Sequence, residues 1–216
     1  FVSSEPVVGL TYKAGTLASA TTTGGGNFTY QIGSPITFSL YGVTLGKTDV
    51  TAIPRMTPRT LVPEATSSRD AKVTNILRLL SSVDSDGSNG VTTISGGNTA
   101  TGSLYTTDET DVSLMAAILS VYGTSSSYAS NLTTSANAQN AFIKNELQNL
   151  LDESVTEGIA PGLTLALQDP TGIGTYYAAS GFSDVAGSIK MTTDVKFRIG
   201  SATKTFTAMK VLQLIS

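Results

Sequence analysis

Ser201-Ala202-Thr203-Lys204 places a hydroxyl and an amine three residues apart. On a helix that spacing sets two side chains on one face, about one turn apart, so the amine can reach the hydroxyl without distortion. A serine at a helix N-terminus lies near the positive end of the dipole, which favours an alkoxide and disfavours an ammonium. Burial would lower the lysine pKa further. A neutral lysine can then take the serine proton, the work that histidine does in other serine enzymes. The chain contains no histidine, which excludes a Ser-His-Asp triad, a histidine-liganded zinc and an imidazole base within these residues. The four residues alone also fit a plainer role, a helix N-cap serine followed by a surface lysine.

The pattern upstream supplies elements that would carry this pair. Ile143, Leu147, Leu150, Leu151 and Ser154 mark one face of a helix over about 138–157, closed by Gly158. Pro161-Gly162 leads into the apolar strand Leu163-Thr164-Leu165-Ala166-Leu167, and Asp169-Pro170-Thr171-Gly172 turns it toward a partner that begins at Thr175-Tyr176-Tyr177. A connecting segment from Asp184 to Thr193 follows, and Phe197-Arg198-Ile199-Gly200 delivers the chain to Ser201 and a last helix.

The run from Phe197 to Ala208, with Ser201-Ala202-Thr203-Lys204 at its centre, closely resembles the nucleophile segment of the serine β-lactamase and D-alanyl-D-alanine carboxypeptidase family, including class C β-lactamases and the esterases of that fold. The order of helix, Pro161-Gly162 strand, Asp169-Pro170 turn and Tyr176-Tyr177 to Gly181 strand resembles the family's N-terminal helix and first two strands. Met191 to Phe197 resembles its approach to the nucleophile, so the likeness covers about 137–216. It implies Ser201 as the acylated nucleophile and Lys204 as its base, with the Ser201 backbone N–H as one oxyanion donor. Gly200 would supply a tight approach to the helix, and Phe206 would start its buried face. The implied substrate is a small ester, amide or β-lactam, with no cofactor and no metal. The family also needs a Tyr-x-Asn or Tyr-x-Ser element and a Lys/His-Thr/Ser-Gly strand after the nucleophile helix. Neither follows Ser201, and Tyr128-Ala129-Ser130, which has the right spelling, precedes it in a linker-like stretch. The apolar pattern runs to Ser216 without Gly, Pro or a polar stop. It predicts that the natural protein continues, and that residues 1–216 alone do not turn over substrate.

Residues 1 to about 65 read differently. Val8, Leu10 and Tyr12 alternate, as do Phe28, Tyr30 and Ile32, and then Ile36, Phe38 and Leu40, with turns expected at Gly24-Gly25-Gly26-Asn27 and over Gly42 to Gly46. Short strands at this spacing predict a β-sandwich module. Its Gly and aromatic punctuation resembles the β-modules at the front of bacterial surface lipoproteins. Residues 66–134 form a helical and loop extension. Val73, Ile76, Leu77 and Leu80 predict a helix over Asp70–Ser81, and a second apolar segment follows Asp108 and Asp111, ending at Gly123. The domain boundary is expected between about 124 and 136. The expected fold class is thus a mostly-β sandwich module with short helices, followed over 137–216 by the first part of an α/β (α+β) serine β-lactamase-like domain.

Charged residues make up 13% of the chain, about half the usual share, and the net charge is −3. That balance, with no basic run, argues against a nucleic-acid partner. No stretch approaches the roughly 18 apolar residues of a membrane span. The absence of cysteine excludes disulfides and thiolate metal sites. A surface rich in Ser, Thr, Gly and Asn suits a secreted, periplasmic or cell-surface bacterial protein. Asp84-Ser85-Asp86-Gly87-Ser88-Asn89-Gly90 alternates oxygen ligands as a calcium loop does, but Asn89 and Ser95 stand where an EF-hand needs Gly and Glu, so a polar turn is the better reading. Two functions remain open: an exported serine hydrolase, or a surface adhesin or filament-forming subunit that self-associates through its front module.

Overall fold

Gly9 sets the form of the front module. Its φ of 86° lies in the left-handed region, and a Cβ there would stand 2.4 Å from the Ile94 carbonyl oxygen. The chain is therefore broken at this point into β1 (Val7–Val8) and β2 (Thr11–Ala14), where unbroken alternation predicted one strand. The break moves the inward position from Val8 to Val7, which is buried with Leu10, Tyr12 and Ala14. Thr22 stitches the kink from the side. Its buried hydroxyl accepts from the Leu10 amide at 3.0 Å and donates to the Val7 carbonyl at 2.6 Å.

A computed structural model of the chain describes residues 1–49, 55–84, 90–94, 102–103, 133–170 and 172–215. The remaining strands of the front module are β3 (Ala20–Thr21), β4 (Pro35–Leu40), β5 (Val43–Asp49), β6 (Thr92–Thr93) and β7 (Gly102–Ser103). One five-stranded sheet has the order β3-β2-β4-β5-β7, antiparallel except for the β5–β7 pair, and β1 pairs in parallel with β6. Where a sandwich was expected, the described residues of the front module form this one sheet and the separate β1–β6 pair.

Three expectations in this region change. The Gly42–Gly46 turn is only the two residues Tyr41 and Gly42, both at positive φ (49° and 86°). That geometry matches the twist of a tight hairpin, and β5 starts directly after it. Phe28, Tyr30 and Ile32 lie outside any strand. Phe28 packs edge-on against Phe38 at 5.4 Å and beside Tyr12 at 5.8 Å, so ring packing rather than a sheet ladder produced the alternation, and Ile32 is left exposed. The glycine turn, expected as a hairpin, is a 3₁₀ turn over Gly24–Gly26 closed by the single Thr23–Asn27 bridge, with no strand directly following it.

Helix α1 (Ala71–Ser82) forms where its periodicity predicts, with Asp70 as N-cap accepting from the Lys72 amide at 3.0 Å. Val73, Ile76, Leu77 and Leu80 are buried in one core with Ile36, Phe38, Leu40, Val43, Leu45 and Leu61. Ala138 and Phe142, from the start of helix α2 (Ser135–Thr156), complete that core. The segment expected as a helix after Asp108, the linker stretch 124–132 and most of the Asp84–Gly90 loop lie outside the described residues.

The chain divides into two compact units, residues 1–147 with 168–175, and residues 148–167 with 176–216. The second holds the later part of α2, most of strands β8 (Gly162–Asp169) and β9 (Gly174–Gly181), and helix α3 (Thr203–Ile215). β8 and β9 form a two-stranded sheet. Helix α2 and the β8–β9 order follow the sequence reading, except that Leu150 is exposed where the helical face predicted burial.

Candidate active site

The approach to Ser201 is shaped by short-range bonds. The Phe182 amide donates to the Pro161 carbonyl and the Met191 amide to the Gly181 carbonyl, both at 2.8 Å, which ties the segment after β9 to its edge. Between these points Asp184 organises a tight loop. Its carboxylate accepts from the Ser188 amide at 3.0 Å, the Ile189 amide at 2.9 Å and the Ser188 hydroxyl at 2.5 Å. The Ser188 hydroxyl above all, with the Ile189 amide, holds the Asp184 pKa below its usual value.

On the surface of the second unit, Asp152 of α2 accepts from the Ser180 hydroxyl of β9 at 2.5 Å and from Gln148 Nε2 at 3.0 Å. Gln148 also donates to the Ala179 carbonyl at 3.0 Å. Partial burial, reinforced by the nearby Asp152 charge, raises the Tyr176 pKa. The sequence reading did not single out Gln148, Asp152 or Ser180. Their i, i+4 spacing on α2 and a hydroxyl on the facing strand were the available signal. Their geometry is that of a brace between helix and strand.

Gly200, Ser201 and Ala202 form a 3₁₀ turn that runs into α3 at Thr203, whose N–H donates to the Gly200 and Ser201 carbonyls. Gly200 has φ 54° with open space where a Cβ would stand, so its glycine serves backbone conformation rather than the close approach expected. Lys204 Nζ lies 3.4 Å from Ser201 Oγ. The pair predicted from spacing is thus brought together, at the long end of hydrogen-bond range. Among the described residues nothing else is hydrogen-bonded to either side chain.

Both residues are exposed, so the burial invoked for the lysine is not present in this chain. The helix shares this condition. Phe206, expected to start a buried face, is 65% exposed, and α3 has no buried residue. Its apolar side chains, Phe206, Leu212 and Leu214 among them, therefore face solvent.

Among the described residues no helix is long and apolar enough to cross a membrane. Residues 147–216 match the family model described as Beta-lactamase. The match supports a place for that stretch in the serine β-lactamase-like superfamily. No curated protein matches the chain, and no solved structure does.

Proposed function

We propose that residues 147–216 carry the nucleophile of a serine hydrolase of the penicillin-recognising type, acting on a small ester, D-amino-acid amide or β-lactam through an acyl-enzyme. The observation that carries this reading is the 3.4 Å approach of Lys204 Nζ to Ser201 Oγ inside the stretch matched by the Beta-lactamase family model. Ser201 Oγ attacks the substrate carbonyl carbon while its proton passes to the neutral Lys204 amine. The carbonyl–heteroatom bond then breaks and that proton goes to the leaving nitrogen or oxygen. Water releases the acyl group as a carboxylic acid and restores the Ser201 hydroxyl. The Ser201 N–H is one oxyanion donor in this reading, and a second must come from elsewhere.

The exposure of both residues supports the further expectation that residues 1–216 alone are inactive, since a lysine base needs a desolvated setting to be neutral near pH 7. The sparse charge of the chain supports an exported protein, secreted, periplasmic or at the bacterial cell surface. Assembly through the front module has less support. Its outer strand β3 is only two residues long, and short edge strands discourage pairing between chains.

The test is to incubate the full-length protein with a fluorescent penicillin and with a fluorophosphonate, then to locate the label. A labelled Ser201 peptide that Ser201→Ala removes supports the reading. No labelling, or an unchanged labelling rate in Lys204→Ala, overturns it.

A further inference from the structure

Within the first unit, the segment after residue 54 and the first half of α2 enclose a cleft of about 590 Å³, within the usual range for a small-ligand site. Its chemistry is uneven in a way that selects a ligand. One rim carries Arg59, an exposed guanidinium that enters no ion pair among the described residues. Arg55 and Glu146, which also line the cleft, form an ion pair at 3.0 Å, both only partly exposed. Thr66, Ser67 and Ser68 line it as well, and Ile143 and Leu147, one turn apart on α2, add an apolar strip.

Each part answers to a different feature of one kind of molecule. An unpaired guanidinium presents a planar fork of donors suited to a carboxylate. A half-buried Arg–Glu pair offers donors and acceptors together, which suits a group that both gives and accepts hydrogen bonds, namely a hydroxyl. Row-mounted Ser and Thr hydroxyls do the same. The apolar strip accepts the C–H face of a ring. Thr60 Oγ1 accepts from the Thr57 amide at 3.0 Å and donates to the Thr57 carbonyl at 2.7 Å, closing the 3₁₀ turn that carries Arg59.

We propose that this cleft binds an acidic saccharide, a hydroxyl-rich ring bearing a carboxylate, with Arg59 as the carboxylate contact and the Arg55–Glu146 pair as the hydroxyl contact. Neither Ser201 nor Lys204 lines this cleft, and the proposal does not depend on the hydrolase reading.

Calorimetric titration of the whole chain with digalacturonate tests it, with neutral digalactose and succinate as parallel arms. Digalacturonate should bind, and each of the other two should bind about tenfold more weakly or worse, since each lacks one of the two features read by the cleft. Arg59→Gln should weaken digalacturonate about tenfold or more and leave the weak digalactose binding unchanged. Arg59 is exposed, so this variant keeps the fold, and an unchanged circular dichroism melt verifies that. The proposal is overturned if digalacturonate does not bind, if succinate binds equally well, or if Arg59→Gln binds digalacturonate as the parent does.

Discussion

Lys204 can act on Ser201 as a proton acceptor or simply as a positive charge, and the two roles separate by substitution. Arginine keeps the charge and nearly the same reach, but it does not lose a proton at any ordinary pH. If lysine is the base, Lys204→Arg should slow fluorophosphonate labelling of the full-length protein by about 10²–10⁴-fold, close to the loss in Lys204→Ala. Retained labelling in the arginine variant would assign the residue to electrostatics instead. Asp184 offers a second check at this scale. The bonds it receives from Ser188 and Ile189 hold its pKa below 3.8 in the folded chain. A depressed carboxylate contributes its stabilisation above the unfolded pKa and loses it as pH falls through the folded one. The loop over 184–189 should therefore stay ordered at pH 4 and open only at lower pH. In an NMR titration the Ser188 and Ile189 amide shifts should move together with a midpoint below 3.8, and Asp184→Asn should flatten both curves.

Elements show where local rules suffice and where they fail. Helix α1 was legible because everything that makes it is local: an Asp70 cap, an unbroken 3.6 period and no internal Gly or Pro. Replacing Asp70 by Ala should cost about 1 kcal/mol in urea unfolding. The Ser201–Lys204 pair was legible for the same reason, since i, i+3 contact needs only a turn of helix. The strands were harder. Whether Val7 or Val8 faces inward is decided by Gly9, whose left-handed φ answers to the Ile94 backbone far away in sequence. Phe28 and Tyr30 alternate like a strand but serve an aromatic cluster around Phe38. Gly46 was read as part of a turn, yet it lies in β5 where a Cβ would stand 2.5 Å from the Leu61 carbonyl oxygen and 2.6 Å from Leu61 Cβ. Gly46→Ala should therefore force β5 and the Leu61 turn apart, at a cost of about 3 kcal/mol, the upper end of the usual range for overpacking in a core. Gly33, with φ 79° and open space around it, should cost only about 1–2 kcal/mol as alanine. Paired urea melts distinguish a crowded glycine from a merely left-handed one.

At the scale of the whole molecule the buried apolar side chains are divided unequally between the two units. The hydrophobic core is built from the front module, α1 and the start of α2, and its last members are Ala138 and Phe142. In the second unit the buried apolar side chains are few, Leu151 and Ala178 among them, while Leu212 and Leu214 are 63% and 76% exposed. Opening free energy follows buried contact, from near zero where there is little to the global value in the core. In native-state hydrogen exchange of the 216-residue chain, the amides of β4, β5 and α1 should therefore exchange last, through global unfolding. Those of α3 should exchange early, with protection that Phe38→Ala leaves unchanged. That same substitution removes a fully buried ring at the centre of the aromatic cluster, and should lower the stability of the slow-exchanging core by about 3–5 kcal/mol. Slow exchange throughout α3, falling together with the core in Phe38→Ala, would show instead that the helix is held by the same cooperative unit and that the exposed face is covered in solution.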